Sequence, residues 1–391
     1  MIDRSRMLAL GATAALGAAA IDMYLPSLPT IQAEFADGSA HAQFTLSAFF
    51  IGLGLGQLCY GPVSDALGRR RVLYFGTVIY IAASIACVMS STIEELILFR
   101  FLQALGAAAG GVVSRAIVRD LYSLNEASRA QSIINMVFLI TPLLAPNVGG
   151  YMLEWYGWRA IFMVLCAFGT LCLVLLYFKI PETLPAERRR PLRPGHVLRG
   201  YAQVLSNRRS VGCIISGGTA FTCMFAYFAG TPFIFIDLYE VPARHYGLLF
   251  GLNVLGVMSA NYLNVRLVTR FGAITMLRYG VTIIALGSLL LLATVSFDIG
   301  GILGIIIPLF IVIGSLGLVG ANAIAGALEP FPDLAGTAAA LSGAFNMLLG
   351  ASAGIVIGLM HDGTALPMAQ VIATFGLLSF GSYALLVARP N

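Results

Sequence analysis

MLALGATAALGAAAIDMYLPSLP, Met7 to Pro29, contains one charged side chain, Asp22. The stretch is otherwise apolar and long enough to be a membrane-crossing helix, which needs about 20 residues for a hydrocarbon core about 30 Å thick. A carboxylate near the centre of such a helix costs roughly 2.5–3.5 kcal/mol on insertion scales, so it is expected to face protein and to do a job. Loss of water penalises the charged carboxylate more than the neutral acid. Asp22 could therefore bind and release a proton as its hydration changes. The alternative is a packing role, with the carboxylate bonded to backbone or to an arginine.

Composition extends the membrane reading to the whole chain. Of 391 residues, 59% are hydrophobic and 10% charged, and mean hydropathy is +0.88. Soluble domains carry about 25% charged residues, so a surface this poor in charge faces lipid. Lipid offers no hydrogen bonds, which restricts the backbone to helices or a closed barrel. Barrel strands would alternate over about ten residues, whereas the apolar runs here are unbroken. They predict an all-α membrane protein with spans at 7–29, 43–65, 72–91, 96–118, 130–153, 158–180, 211–237, 245–268, 273–295, 300–328, 335–359 and 366–388. The first is too long and too polar at its exit for a cleaved signal peptide.

With the N-terminus in the cytoplasm, every Lys and Arg of the 23 except Arg100, Arg159 and Arg244 falls in cytoplasmic segments or at their edges. That asymmetry fixes both termini inside. It also accounts for the net charge of +5, and no soluble basic domain suggests nucleic-acid binding. The six Cys and four His show no metal-ligand or disulfide spacing, so no metal or cofactor is expected.

Pro181–Ser210 is the longest polar interruption. It divides the chain into an N-terminal bundle of six helices (1–180), a linker (181–210) and a C-terminal bundle of six (211–391). The linker opens with the Pro- and Arg-rich "PETLPAERRRPLRP". In "GHVLRGYAQVLSNRRS" Val197, Tyr201, Val204 and Leu205 recur at helical spacing, as in an interfacial amphipathic helix. The halves echo each other: "GPVSDALGRRRVL" and "VRLVTRFGAITML" align Gly68 with Gly272 and place Thr269 where the first copy has Asp65. Repeated six-helix halves are an architecture of secondary transporters.

"GPVSDALGRRRVL", Gly61–Leu73, has glycines at Gly61 and Gly68 that let two helices turn closely. Asp65 can accept from a helix N-terminus, and three arginines hold the turn outside the membrane. The stretch resembles the loop between helices 2 and 3 of the major facilitator superfamily, with Ala66 where that family usually has a basic residue. "RFLQALGAAAGG", Arg100–Gly111, is similar to its helix 4 motif, with Ala104 in place of a glycine. "TPLLAPNVGGYML", Thr141–Leu153, resembles the helix 5 motif of drug–proton antiporters, with Ala145 in place of another. In the last, Pro142 and Pro146 should bend the helix, and Gly149 and Gly150 should admit close contact. "GWRAIF" and "PETL" recur at matching places in drug exporters and are expected to anchor the two ends of helix 6. "IDMYLPSLP", "GQLCYGPVSDALGRR" and "RDLYSLNEASR" are similar to the bicyclomycin-resistance (Bcr/CflA) branch.

The resemblance implies a twelve-helix transporter of the bacterial inner membrane that exports drugs such as bicyclomycin in exchange for protons, working as a monomer among lipid. It implies a part in proton coupling for Arg100, beside the Asp22 read from its own position, although Arg100 is close enough to the outer edge to snorkel instead. It implies a conformational latch at Gly61, Asp65, Gly68 and Arg69. Tyr24, Asn135, Asn253 and Asn346 are candidates for a substrate cavity, with helix bridging the alternative for each asparagine. "GLGLG", Gly52–Gly56, mimics a nucleotide fingerprint but lies in an apolar helix, where close packing explains it. No Walker sequence supports an ATP-driven pump, and no nucleophile–base set supports an enzyme. Two alternatives stay open: export of a small metabolite such as a sugar or amino acid, and a sensor or scaffold that moves nothing. The chain's end at "VARPN", just after the last span, speaks against the second.

Overall fold

The computed structural model describes residues 4–35, 42–122, 124–189, 194–331 and 334–388. Some side chains within helices lie outside that description; Asn135, a candidate cavity residue, is one of them. No strand occurs among the described residues. Contacts divide the chain into two compact units, Met1–Pro194 with Ala243–Gly247, and Gly195–Pro242 with Leu248–Asn391.

The first unit contains α1 (Arg4–Asp22), a 3-10 turn (Leu25–Ser27), α2 (Leu28–Glu34), α3 (Gln43–Leu67), α4 (Arg69–Met89), α5 (Ile93–Leu121), α6 (Leu124–Tyr156) and α7 (Trp158–Lys179). Its helix ends follow from local chemistry. Thr92 accepts from the backbone of Glu95 at 3.2 Å while the Glu95 carboxylate accepts from the backbone of Ser91 at 2.8 Å, a reciprocal arrangement that starts α5 by satisfying free amides. Gly68 turns α3 into α4 with φ +98°, a left-handed conformation open to glycine.

The small residues of α5 place it against three neighbours. A Cβ at Gly110 would overlap the carbonyl oxygen of Thr13 on α1, and one at Gly106 would lie 2.5 Å from the amide nitrogen of Tyr80 on α4. Gly52 and Gly56 of α3 face Phe101, Ala104 and Ala108 of α5, so the "GLGLG" run is a packing surface. Without a hydrophobic drive between helices in lipid, such close approach supplies the dispersion contact that holds them.

The second unit contains α8 (Pro194–Leu205) from Gly195 on, α9 (Arg208–Pro232), a π-helical turn (Phe233–Leu238), α10 (Ala243–Phe271) from Leu248 on, α11 (Ala273–Ser296), α12 (Leu303–Leu328), α13 (Ala335–Met360) and α14 (Leu366–Ser382). The expected amphipathic segment of the linker is thus helical. Asn207 caps α9 by accepting from the backbone of Ser210 at 2.9 Å. Here α9 is the central helix, packed against α12, α13 and α14. Ser216 and Ser379 donate to each other's carbonyls at 3.0 and 2.8 Å. Gly272 joins α10 to α11 with φ +81° and ψ 156°, close to the 98° and 150° of Gly68. The alignment of these two glycines therefore corresponds to a shared turn geometry.

Among the described residues, eleven helical stretches are long and apolar enough to cross a membrane. Each falls on one of the expected spans. The remaining expectation, 130–153, lies on α6, which is outside those eleven and has side chains beyond the described residues.

Gly110→Leu is expected to destabilise the protein by at least about 1–3 kcal/mol, the usual cost of overpacking, because backbone fills the space it needs. Gly111→Ala, whose Cβ would meet only the Arg115 side chain at 4.0 Å, should leave thermal unfolding in detergent within a degree or two of wild type.

Candidate functional site

Asp22 is the last residue of α1, and the helix breaks immediately after it. Pro26 and Pro29 follow in the sequence, and each lacks an amide donor. Ala19 still accepts from Met23 at 3.0 Å, but the Tyr24 amide turns back to Ile21 at 3.1 Å. The carbonyl of Ala20 therefore loses its helical donor. Arg100 of α5 replaces it, donating from Nη1 at 3.1 Å. A cation is also favoured at a helix C-terminus.

Arg100 is fully buried, with an exposure of 0%, so the snorkelling alternative fails. Its guanidinium lies 4.3 Å from the ring centre of Tyr24, 4.2 Å from Phe49 and 5.7 Å from Phe162. Desolvated cation–π contacts of this kind contribute about 2 kcal/mol. Nη1 also donates to Gln103 at 2.7 Å, and Gln103 donates to Ser84 at 2.8 Å. Nε and Nη2 have no hydrogen-bond partner among the described residues. The charge is thus held by aromatic faces, a backbone carbonyl and the Gln103 amide oxygen, without a carboxylate among the described residues.

The Asp22 side chain is 4% exposed. Among the described residues it makes no hydrogen bond or ion pair, and in particular none with Arg100. Arg100 reaches the break through the Ala20 carbonyl, and among the described residues nothing neutralises the carboxylate. Tyr24, a candidate for the substrate cavity, is fully buried; its ring faces Arg100 and its hydroxyl lies 2.6 Å from that of Thr45. It is a wall of the arginine cage and does not line open space.

The helix 5 motif meets this break directly. A Cβ at Gly149 would overlap the carbonyl oxygen of Met23, the residue after Asp22. Gly150 lies against the backbone of Ala243 and Arg244, in the segment that belongs to the same unit. Pro142 and Pro146 sit inside α6, which runs through both; each leaves a carbonyl one turn earlier without its ladder donor. Thus Gly149 fixes how closely α6 approaches the Asp22 turn.

A second network surrounds the Gly68 turn. Arg69 is 4% exposed and contacts Asp65 at 2.6 Å and Asp120 at 3.1 Å; its Nη1 also donates to Ser64 at 2.6 Å. The expectation that Asp65 accepts from the start of α4 is corrected here. Asp65 lies one turn before Arg69 and pairs with its side chain, while the Arg69 amide donates to Glu182 at 3.0 Å. A Cβ at Gly68 would fall 2.5 Å from the Glu182 carboxylate, so Gly68 provides both the turn and the room for that cap. Gly61 lies inside α3 and a Cβ there would meet nothing within 4 Å. The close turn attributed to both glycines belongs to Gly68 alone.

Asp120 and Glu182 are the residues that sequence reasoning missed as members of this network. Both lie in segments similar to the family's, "RDLYSLNEASR" and "PETL", and both are acids at span ends on the side of the arginine run. At the other end of the unit, Trp158 and Arg159 of "GWRAIF" donate to Glu34 at 2.6 and 2.7 Å, which does anchor α7.

In the second unit Asn253 donates to Tyr227 at 3.2 Å and to the carbonyl of Leu249. This matches the bridging alternative, although its Oδ1 and that of Asn346 are buried without partners among the described residues. No group of three or more His, Cys, Asp or Glu that could hold a metal occurs among those residues.

Comparison with known proteins bears on the family and the fold. The family model for the Major Facilitator Superfamily matches residues 10–355. The chain is 32% identical over 383 residues to a bicyclomycin resistance protein homolog of Haemophilus influenzae, covering 98% of this chain and 96% of that one. It is 30% identical over 335 residues to multidrug resistance protein D of Escherichia coli, covering 84% and 82%. The crystal structure of an auto-inhibited POT family peptide transporter superposes with a TM-score of 0.79 at 13% identity, over 100% of this chain and 98% of that one, which speaks to the fold alone. With the helical spans, the matched motifs and these relatives, the chain belongs to the major facilitator superfamily.

Proposed function

We propose that this protein exports drug-like small molecules, bicyclomycin among them, across the bacterial inner membrane in exchange for protons. In this reading it has twelve spans, with α6 as the twelfth, in two bundles of six joined by the linker. Both termini are cytoplasmic and the monomer is the working unit. The observation that carries the proposal is the buried Asp22 carboxylate at the α1 break, without a partner among the described residues. A lone buried carboxylate is costly when charged. Uptake of a proton removes that cost, and hydration from one side or the other shifts the balance. Arg100 modulates it as a fixed positive charge at the same break.

The cycle follows from competition. Protonation of Asp22 from outside favours release of substrate; loss of the proton inside favours rebinding. The relatives named for bicyclomycin and multidrug resistance support export of drugs. The orphan acceptors of Asn253 and Asn346 favour a second reading, a metabolite that donates hydrogen bonds. Arg69 with Asp65, Asp120 and Glu182 forms the latch in this proposal, since its buried guanidinium is met by acids of two helices and its backbone amide by a third acid, Glu182.

Inside-out vesicles with an acid interior and a pH-sensitive dye test the central claim. Bicyclomycin or an unrelated drug should dissipate the gradient in wild type, and Asp22→Asn should reduce that response to background. Full coupling in Asp22→Asn would remove the assignment. If sugars or amino acids alone collapse the gradient, the metabolite reading replaces the drug reading.

The proton and the drug should also be linked at equilibrium. Because the protonated form is the releasing form, wild-type drug affinity should fall as pH falls, and binding should expel protons. In Asp22→Asn the affinity should be independent of pH over the same range, as read by titration calorimetry in buffers of different ionisation enthalpy.

For the latch, Asp120→Asn should destabilise the purified protein by about 1–3 kcal/mol, because a buried guanidinium loses a charged acceptor. Glu182→Gln should cost about 0.3–1 kcal/mol through the α4 terminus. Thermal unfolding in detergent gives the order of the two.

A further inference from the structure

Beside the Gly68 turn, Arg70, Arg71, Tyr74, Glu182 and Arg189 line a cleft of about 360 Å³. All five belong to the first unit. Three guanidinium groups face one carboxylate, and that carboxylate is already engaged by the amides of Arg69 and Leu184, each at 3.0 Å. Its approach to Arg189 is only 4.0 Å. The Nε atoms of Arg70 and Arg189 are buried and have no hydrogen-bond partner among the described residues. They come from different elements, the start of α4 and the segment after α7. Arg70 spends Nη2 on the Tyr74 hydroxyl and the Tyr177 carbonyl, at 3.1 and 3.2 Å, but the cleft still holds surplus positive charge and unused donors, a combination that suits a phosphate, whose oxygens accept from several guanidinium groups at once.

The position of the cleft indicates where the phosphate comes from. Arg70 lies one residue into the membrane-crossing stretch that begins at Arg69, and Lys179 ends another, so the cleft lies at the level of the lipid headgroups. Arg70 stacks over Tyr74 and Tyr177, at 5.2 and 5.9 Å from the ring centres. Tyr177 and its neighbour Phe178 are 62% and 74% exposed. Exposed aromatic rings at the end of a span are the usual mark of the membrane interface, and basic pockets there bind anionic headgroups. We propose that this cleft binds the phosphate of an anionic phospholipid headgroup, joining α4 to the segment that carries Glu182 and Arg189. The proposal is independent of proton coupling and of the substrate.

The test uses the full-length protein in detergent with phosphatidylglycerol, cardiolipin or phosphatidylethanolamine, and reads bound lipid by native mass spectrometry. Wild type should retain the two anionic lipids in preference to phosphatidylethanolamine. Each of Arg71→Gln and Arg189→Gln should weaken phosphatidylglycerol binding about fivefold, the typical worth of one basic residue near an anionic surface. The double variant R71K/R189K should retain binding, which separates loss of charge from loss of fold. Added salt should weaken wild-type binding, a check that needs no variant. Equal retention by wild type and the double Gln variant would overturn the site. So would equal retention of phosphatidylethanolamine. Thermal protection by inorganic phosphate that matches phosphatidylglycerol would assign the cleft to a soluble anion and overturn the lipid.

Discussion

Inside a bilayer a backbone carbonyl that loses its helical donor must find another in protein, because lipid has none. In this protein that requirement falls on Ala20, where α1 breaks after Asp22, and Arg100 meets it at 3.1 Å. Much of the first unit is arranged around that contact. Three aromatic rings from α3, α7 and the break itself enclose the guanidinium, and Gln103 with Ser84 ties it to α4. The small residues of α5 are then what allow α1, α3 and α4 to approach one helix closely enough for Arg100 to reach.

The same constraint explains how Arg100 is buried beside the α1 break without pairing with Asp22. A buried ion pair would satisfy both charges, and removing either partner would cost about 3–5 kcal/mol. Such a pair would hold a proton site in one state. Here the arginine is compensated by ring faces, a backbone carbonyl and the Gln103 amide oxygen, so the carboxylate can gain or lose a proton without leaving the arginine alone. Gly149 adds a mechanical link, since α6 rests on the backbone of the residue that follows Asp22. The helix 5 motif and the acid of helix 1 are in this sense one piece of structure.

At the Gly68 turn a different balance holds. Arg69 is nearly excluded from solvent, yet Asp65 is 45% exposed and Asp120 is 19% exposed. Exposed pairs contribute little on their own, so the strength of this network rests on the burial of the arginine and on the number of acceptors around it. Glu182 contributes through the helix end instead, as a carboxylate placed at a free amide. The network therefore joins α3, α4, α5 and the segment after α7 through one guanidinium and one backbone amide.

The all-helical membrane class, the span positions and the motif residues could be read from the sequence because they depend on local quantities: length against bilayer thickness, charge against lipid, and glycine where φ is positive. Gly68 and Gly272 show this well, since each turn is dictated by its own residue. The sequence also singled out Asp22 and Arg100, because a charge in an apolar run is conspicuous wherever it points. What a charge touches depends on residues far away in the chain. Arg100 with Ala20, Glu182 with Arg69, Trp158 with Glu34 and Gly149 with Met23 are partners only in the packed state. Tyr24 gave no hint that it would be a wall of the arginine cage, since a tyrosine after a helix break can face either way. Which acid caps α4, and whether a buried arginine takes a carboxylate or an aromatic cage, were decided by how the helices pack.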